Sequence, residues 1–143
     1  MSQENVEIFK RAVDTWNRDD FDAWIDLFDP EFEWHTAIER AVEGGDSVFR
    51  GLSGAREVWE SYKGEAFERL DIRYDDFRDL GESILALGEI KILGRTSQLE
   101  LTSEIVQLVT FRGGKIAGSR DFMSHAEGLK AAGLSEQDAH ADS

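Results

Sequence analysis

Few side chains in this sequence join a useful pKa to a place in a regular element. His35 is one of three histidines and lies in a short alternating stretch between Trp34 and Thr36. Imidazole titrates near neutrality, so with a carboxylate such as Asp121 it can form an acid/base pair. The same alternation argues the other way. Phe32, Trp34 and Thr36 share the face opposite His35, so if they point inward, His35 points outward. Gln107 and Ser103 are the polar interruptions of an otherwise apolar strand face. Glu89 faces a pocket only if Leu85 and Leu87 do, and an exposed strand end is the simpler reading.

Other chemistries find no support. His125 and His140 read as solvated, and no histidine pair with a carboxylate has metal-ligand spacing, so no metal is expected. There are no cysteines, hence no thiolate nucleophile or disulfide. Gly113-Gly114 reads as a hairpin turn, not as a phosphate cradle opening a helix.

The elements that must position these residues are legible. From Leu99 to Phe111 the residues alternate: Leu99, Leu101, Ser103, Ile105, Gln107, Val109 and Phe111 on one face, the rest on the other. This is the strongest of four predicted strands, Leu70–Leu80, Ser83–Leu93, Leu99–Phe111 and Lys115–Met123. Asp75-Asp76 breaks the alternation of the first and predicts a bulge. Upstream, Val6, Phe9, Val13 and Trp16 mark a helix over Gln3–Asn17. A second helix is expected over Phe21–Phe28, capped by Asp20 and ended by Pro30. A short strand follows over Glu31–Thr36, then a loop or loose hairpin over Ala37–Gly51 turning at Gly44-Gly45. A third helix is expected from a Ser53 cap to Gly64, and a last one from the Ser124–Glu127 capping box to about Ala132. The sheet needs cover on its apolar face, and the helices must supply it. That makes the expected fold α+β: helices packed in a strongly curved antiparallel sheet, one domain over residues 1–134, with a frayed tail over 135–143. Trp16, Trp34, Trp59 and Tyr62 are mostly core, and those lining an internal space suit a flat hydrophobic ligand.

The chain has 143 residues, is 41% hydrophobic and carries a net charge of −14. That charge repels phosphate backbones and makes nucleic acid an improbable partner. No apolar run approaches a membrane span and no signal peptide is evident, so a cytoplasmic protein is expected.

The element order is joined by particular residues. They are Trp16 through Trp24, Leu27 through Trp34, Phe49-Arg50-Gly51, Phe111 through Ile116, and Arg120-Asp121-Phe122 with Glu127 through Leu134. In these the chain resembles the nuclear transport factor two-like superfamily, and most of all its SnoaL-like branch of polyketide cyclases and ketosteroid isomerase relatives. The resemblance implies a cone in which a bent sheet closes over helices around an apolar pocket. It implies no cofactor, and a homodimer through the outer sheet face, covering Val106 and Leu108 with Ile84, Ala86, Ile90 and Ile92 nearby. Relatives with isomerase activity keep a tyrosine, a base and a protonated acid where this chain has Ala12, Thr36 and Gln107, so that set is not retained. Gln107 can still donate a hydrogen bond. Cyclases keep an aspartate where Asp121 stands, and the resemblance turns Ala117, Ser119, Asp121 and Met123 inward. A carboxylate in an apolar pocket has its pKa raised, which suits it to proton transfer. The expected function is therefore a pocket for a small hydrophobic molecule. Asp121, Gln107 and His35 are the catalytic candidates, and Trp16, Trp34, Trp59, Tyr62, Ser103, Ser119 and Met123 are the ligand-contacting ones. If enzymatic, it is a metal-free isomerase, cyclase or dehydratase; the alternative is a non-catalytic binding or protein-interaction module.

Overall fold

A computed structural model describes residues 2–37 and 47–134. The expected turn at Gly44-Gly45 and the tail from Ser135 lie outside the described residues.

Helix α1 (Ser2–Asn17) turns Phe9, Ala12 and Thr15 into the core. Asp20 caps α2, its carboxylate accepting from the Ala23 N–H, but α2 covers only Phe21–Ile25. Strand β1 (Phe28–Thr36) follows directly, so Pro30 lies inside a strand and does not end the helix. Its missing N–H costs nothing there: the pairing of β1 with its neighbour jumps from Phe28 to Glu33, and Pro30 falls in the gap. Strand β2 (Ser47–Arg50) pairs antiparallel with the end of β1. Helix α3 (Gly51–Glu60) begins at Gly51 rather than after a Ser53 cap, and continues as a π-helical turn, Ser61–Glu65. Strands β3 (Phe67–Asp79), β4 (Ser83–Gly94), β5 (Glu100–Arg112) and β6 (Lys115–Phe122) then run in succession. Helix α4 (His125–Ala131) closes the chain, its first turn capped by the Ser124 hydroxyl.

The six strands form one sheet in the order β2-β1-β6-β5-β4-β3. It is mixed, not wholly antiparallel, because β1 runs parallel to β6. With α1, α2 and α3 inside its bend, the sheet makes the expected α+β cone. The bulge falls where the alternation broke: pairing of β3 with β4 slips between Tyr74 and Asp76, leaving Asp75 as the extra residue. Opposite Tyr74 stands Gly88. A Cβ there would lie 1.8 Å from the Arg73 carbonyl oxygen, so only glycine lets the two strands approach so closely.

The parity of β4 differs from the sequence reading. Ile84, Ala86, Ile90 and Ile92 face the main core, whereas Leu85 and Leu87 face the other side. Both faces of this strand are apolar, so alternation alone could not orient it. The outer positions are covered by the chain itself: Leu129 of α4 packs on Leu85, Leu87 and Val106. Gly128 presses on Val106 so tightly that a Cβ would lie 2.5 Å from its Cγ1. The apolar strip thought to need a second copy is thus largely roofed by α4. Among the described residues no helix is long and apolar enough to cross a membrane.

Candidate functional site

Between the helices and the concave sheet face lies a cavity of about 610 Å³, within the usual range of small-molecule sites. Its walls are largely aromatic, with Phe9, Trp16, Trp24, Phe28, Phe32 and Trp34 among them. The rings interlock edge to face or tilted, as in Trp16 against Trp24 at 5.4 Å and Phe28 against Phe32 at 4.7 Å.

Charged Asp71, Arg73, Glu89 and Lys91 line the cavity from β3 and β4, and a second, more buried polar group lies where β1, β6 and β5 run side by side. Register decides this: Trp34 pairs with Ser119, and Gln107 with Asp121. Trp34, Ser119, Gln107 and Tyr62 line the cavity, and Asp121 stands directly behind them, 5% exposed. Gln107 Nε2 donates to Asp121 Oδ1 at 2.8 Å. The π-helical turn brings Tyr62 to the same wall, where its hydroxyl and that of Thr36 share a hydrogen bond.

Burial pushes the Asp121 pKa up to about 6 from an ordinary 3.8. The Gln107 bond opposes this, as do the Trp34 indole N–H, the Thr36 hydroxyl and the Ala37 backbone N–H turned toward the carboxyl. Yet Asp121 Oδ2, Trp34 Nε1 and Ser119 Oγ close no hydrogen bond of good geometry among the described residues. Buried orphans of this kind cost about 1–3 kcal/mol each and call for a functional reason. Thr36→Val removes a donor that favours the charged carboxyl. It is expected to move the Asp121 pKa above 6, and to cost about 1–2 kcal/mol of stability through the broken Tyr62 bond; carbon-13 NMR of the carboxyl and urea melts check the two parts.

The wall does not include every candidate. His35 is on the opposite face of β1, exposed, its Nε2 2.6 Å from Glu33 Oε1. Glu33 also accepts from Arg50, and both contacts hold its carboxyl below the usual range. Strand alternation therefore separates His35 from Asp121. Trp59 packs behind the cavity on Trp16, Trp24 and Phe21. Ser103 spends its hydroxyl on the Met123 and Glu104 carbonyls, and Met123 packs on the core. Neither lines the cavity. Ala117 is the residue skipped where β6 slips against β5, so Ile116 faces the cavity in its place. Glu89 is exposed, 3.9 Å from Arg73, and both residues are among those lining the cavity. Gln107, expected as a free donor, is engaged with Asp121. Among the described residues no cluster of histidine and carboxylate groups is placed to hold a metal.

Two residues at the cavity are not among the candidates read from the sequence. Thr36 stands where isomerase relatives keep a base, and its hydroxyl acts as a brace. Tyr74 lines the cavity from β3; its place in the alternation Leu70, Ile72, Tyr74 was the available signal.

The SnoaL-like domain pattern matches residues 9–119. The chain belongs to the SnoaL-like family. No curated protein matches it. The SnoaL-like chain is similar in fold to a nuclear transport factor two-like protein of Burkholderia xenovorans, with 20% identity, a TM-score of 0.70, and 92% of this chain and 97% of that one covered. It is also similar to TerC crystallised with polyporic acid, at 16% identity and TM-score 0.69, with 91% and 98% covered. A third likeness is a ketosteroid isomerase-like fold protein of Catenulispora acidiphila in complex with trimethylamine, at 15% identity and TM-score 0.64, with 92% and 95% covered. These likenesses carry the fold of the SnoaL-like chain and not its chemistry.

Proposed function

We infer that this SnoaL-like protein binds a small, flat, largely apolar molecule and moves a proton on it, with Asp121 as the acid/base group. One observation supports this above the rest: a buried carboxyl with a pKa near 6 stands at the polar wall of an aromatic cavity, one oxygen fixed by Gln107 and the group faced by the Trp34, Thr36 and Ala37 donors. A group poised near the working pH is suited to give and take a proton in turn. The ionised carboxyl accepts the proton from a carbon beside a ligand carbonyl. The C–H pair becomes a C=C bond, and the carbonyl π pair moves to oxygen. The oxygen that gains charge needs a hydrogen-bond donor, and the Ser119 O–H is one that lines the cavity. Return of the proton to another atom completes an isomerisation, or prepares a ring closure or loss of water, without any co-reactant. Since the base form is the active one, the rate rises with pH through about 6 and then levels. That TerC was crystallised with polyporic acid and the Catenulispora protein in complex with trimethylamine supports a small-molecule ligand.

The test is solvent exchange. 2-Tetralone, a bicyclic ketone with an acidic C–H, is incubated with the protein in D₂O and deuterium uptake is followed by NMR. Uptake that depends on Asp121 supports the reading, and equal uptake by the Asp121→Asn variant ends it. Retained binding of 2-tetralone in that case favours the second reading, a non-catalytic binding module. The placement of Asp121 behind the cavity surface rather than on it is what favours that alternative.

The reading includes a cytoplasmic homodimer through what α4 leaves bare of the outer sheet face. Light scattering at micromolar concentration is expected to give twice the 16.2 kDa chain mass.

A further inference from the structure

We propose that Tyr74 is the hydrogen-bond donor that holds the ligand oxygen, working from β3 across the cavity from the β1–β6 wall. The proposal rests on the acid/base reading above and assigns it a residue that neither the first helix nor β5 supplies.

Three features of the chain aim this side chain. Tyr74 lines the cavity, on the inward face shared by Leu70 and Ile72. The slip after it, at Asp75, lets Phe77 face inward as well, so the strand bends just where Tyr74 projects. Gly88 opposite lets β4 close against the Tyr74 backbone, where any Cβ would come within 2.8 Å of the Tyr74 Cα. The ring itself is fixed by Phe9 of α1, edge to face at 5.3 Å. Phe9 also packs on Phe77, so both rings flanking the bulge are locked to the same helix residue.

The electrostatics agree with that geometry. Burial raises the Tyr74 pKa well above its ordinary value, and the Asp121 charge raises it further. Tyr74 is thus close enough to Asp121 to feel it, and it stays a neutral O–H donor throughout the range in which Asp121 titrates. That division of labour is what proton abstraction beside a carbonyl needs: an acceptor for the proton and a donor for the oxygen that gains its electrons. Among the described residues Tyr74 has no hydrogen bond that would divert its hydroxyl. Leu70, Ile72 and Phe9 give it an apolar surround, and the charged Arg73 and Lys91 also line the cavity from β3 and β4.

The test compares two probes of one shape. 2-Naphthol stands for the enol of 2-tetralone, and 2-methylnaphthalene replaces its hydroxyl by a methyl group. Binding is followed by probe fluorescence in wild type and in Tyr74→Phe. The expected result is about a tenfold loss of 2-naphthol affinity in the variant with 2-methylnaphthalene unchanged, the size of one hydrogen bond. Equal losses for both probes make Tyr74 a wall and overturn the proposal, as does no loss for either. If wild type binds neither probe, the ligand-binding reading of the cavity falls and this proposal falls with it. Deuterium uptake that depends on Asp121 but is untouched by Tyr74→Phe overturns the donor role while leaving the acid/base reading in place. A measurement without ligand is also available, because Tyr62 and Tyr74 are the only tyrosines. In a Tyr62→Phe background, ultraviolet titration follows Tyr74 alone, and its pKa should fall when Asp121 is replaced by asparagine. An unchanged value means that the two groups are not neighbours, and the proposal is withdrawn.

Discussion

Asp121→Asn is expected to slow deuterium uptake by 2-tetralone about a hundredfold or more, the usual weight of a positioned acid/base group, and to make the protein more stable at the same time. The second half follows from the raised pKa. In the unfolded chain the carboxyl titrates near 3.8, and in the fold near 6. Between those values the folded protein holds a proton that the unfolded chain has lost. The contribution of this group to stability therefore falls as pH rises from about 4 to about 6, and stays low above. The shift corresponds to about 3 kcal/mol, so asparagine should recover up to that amount at pH 7.5 and almost nothing at pH 4. Urea melts at the two pH values measure it. An equal difference at both would mean that the carboxyl is not held protonated, and the proposed chemistry would lose its basis. Loss of activity with gain of stability is a signature that a merely structural acid does not give.

Gly88→Ala is expected to be the most damaging single-methyl substitution in the sheet, costing about 3 kcal/mol or more. The added carbon would meet the Arg73 carbonyl oxygen at 1.8 Å, the Arg73 carbonyl carbon at 2.7 Å and the Tyr74 Cα at 2.8 Å, all backbone atoms that cannot rotate aside. Relief requires the two strands to part at the bulge. The Gly88 carbonyl also takes part in the His125 Nε2 contact at 3.0 Å, so the seat of α4 should loosen too. Gly64→Ala is the control. A Cβ there meets nothing within 4 Å, and its effect should stay within about 0.5 kcal/mol. Thermal melts of the two variants side by side decide the matter, and comparable melting temperatures would refute the packing argument.

What could be read in advance follows the physics of each element. Strand β5 was legible because its two faces differ: Ile105, Gln107 and Val109 inward, Glu104 and Thr110 outward. The bulge was legible because Asp75 and Asp76 interrupt an apolar rhythm. Strand β4 was not orientable, since Leu85 and Leu87 are as apolar as Ile84 and Ala86. Pro30 was misread because a local rule for helices is silent about a gap in strand pairing. The partnership of Gln107 with Asp121, and of Trp34 with Ser119, depends on register between strands distant in the chain, for which no local signal exists. Asp121 itself was found through resemblance, and the structure supplies the burial that gives the residue its meaning. Tyr74 was in view as a strand residue, but its hydroxyl has significance only once Asp121 is known to be near.

The parallel contact of β1 with β6 has a consequence for how the molecule is made. Phe28–Thr36 emerges from the ribosome long before Lys115–Phe122, its neighbour in the sheet. Until the last strand arrives, the rings of α1, α2 and β1 have no lid, and closure must wait for a loop of roughly eighty residues to be drawn in. A nascent chain halted before β6 should be sticky and in need of a chaperone, and the polar wall is the last part to be finished.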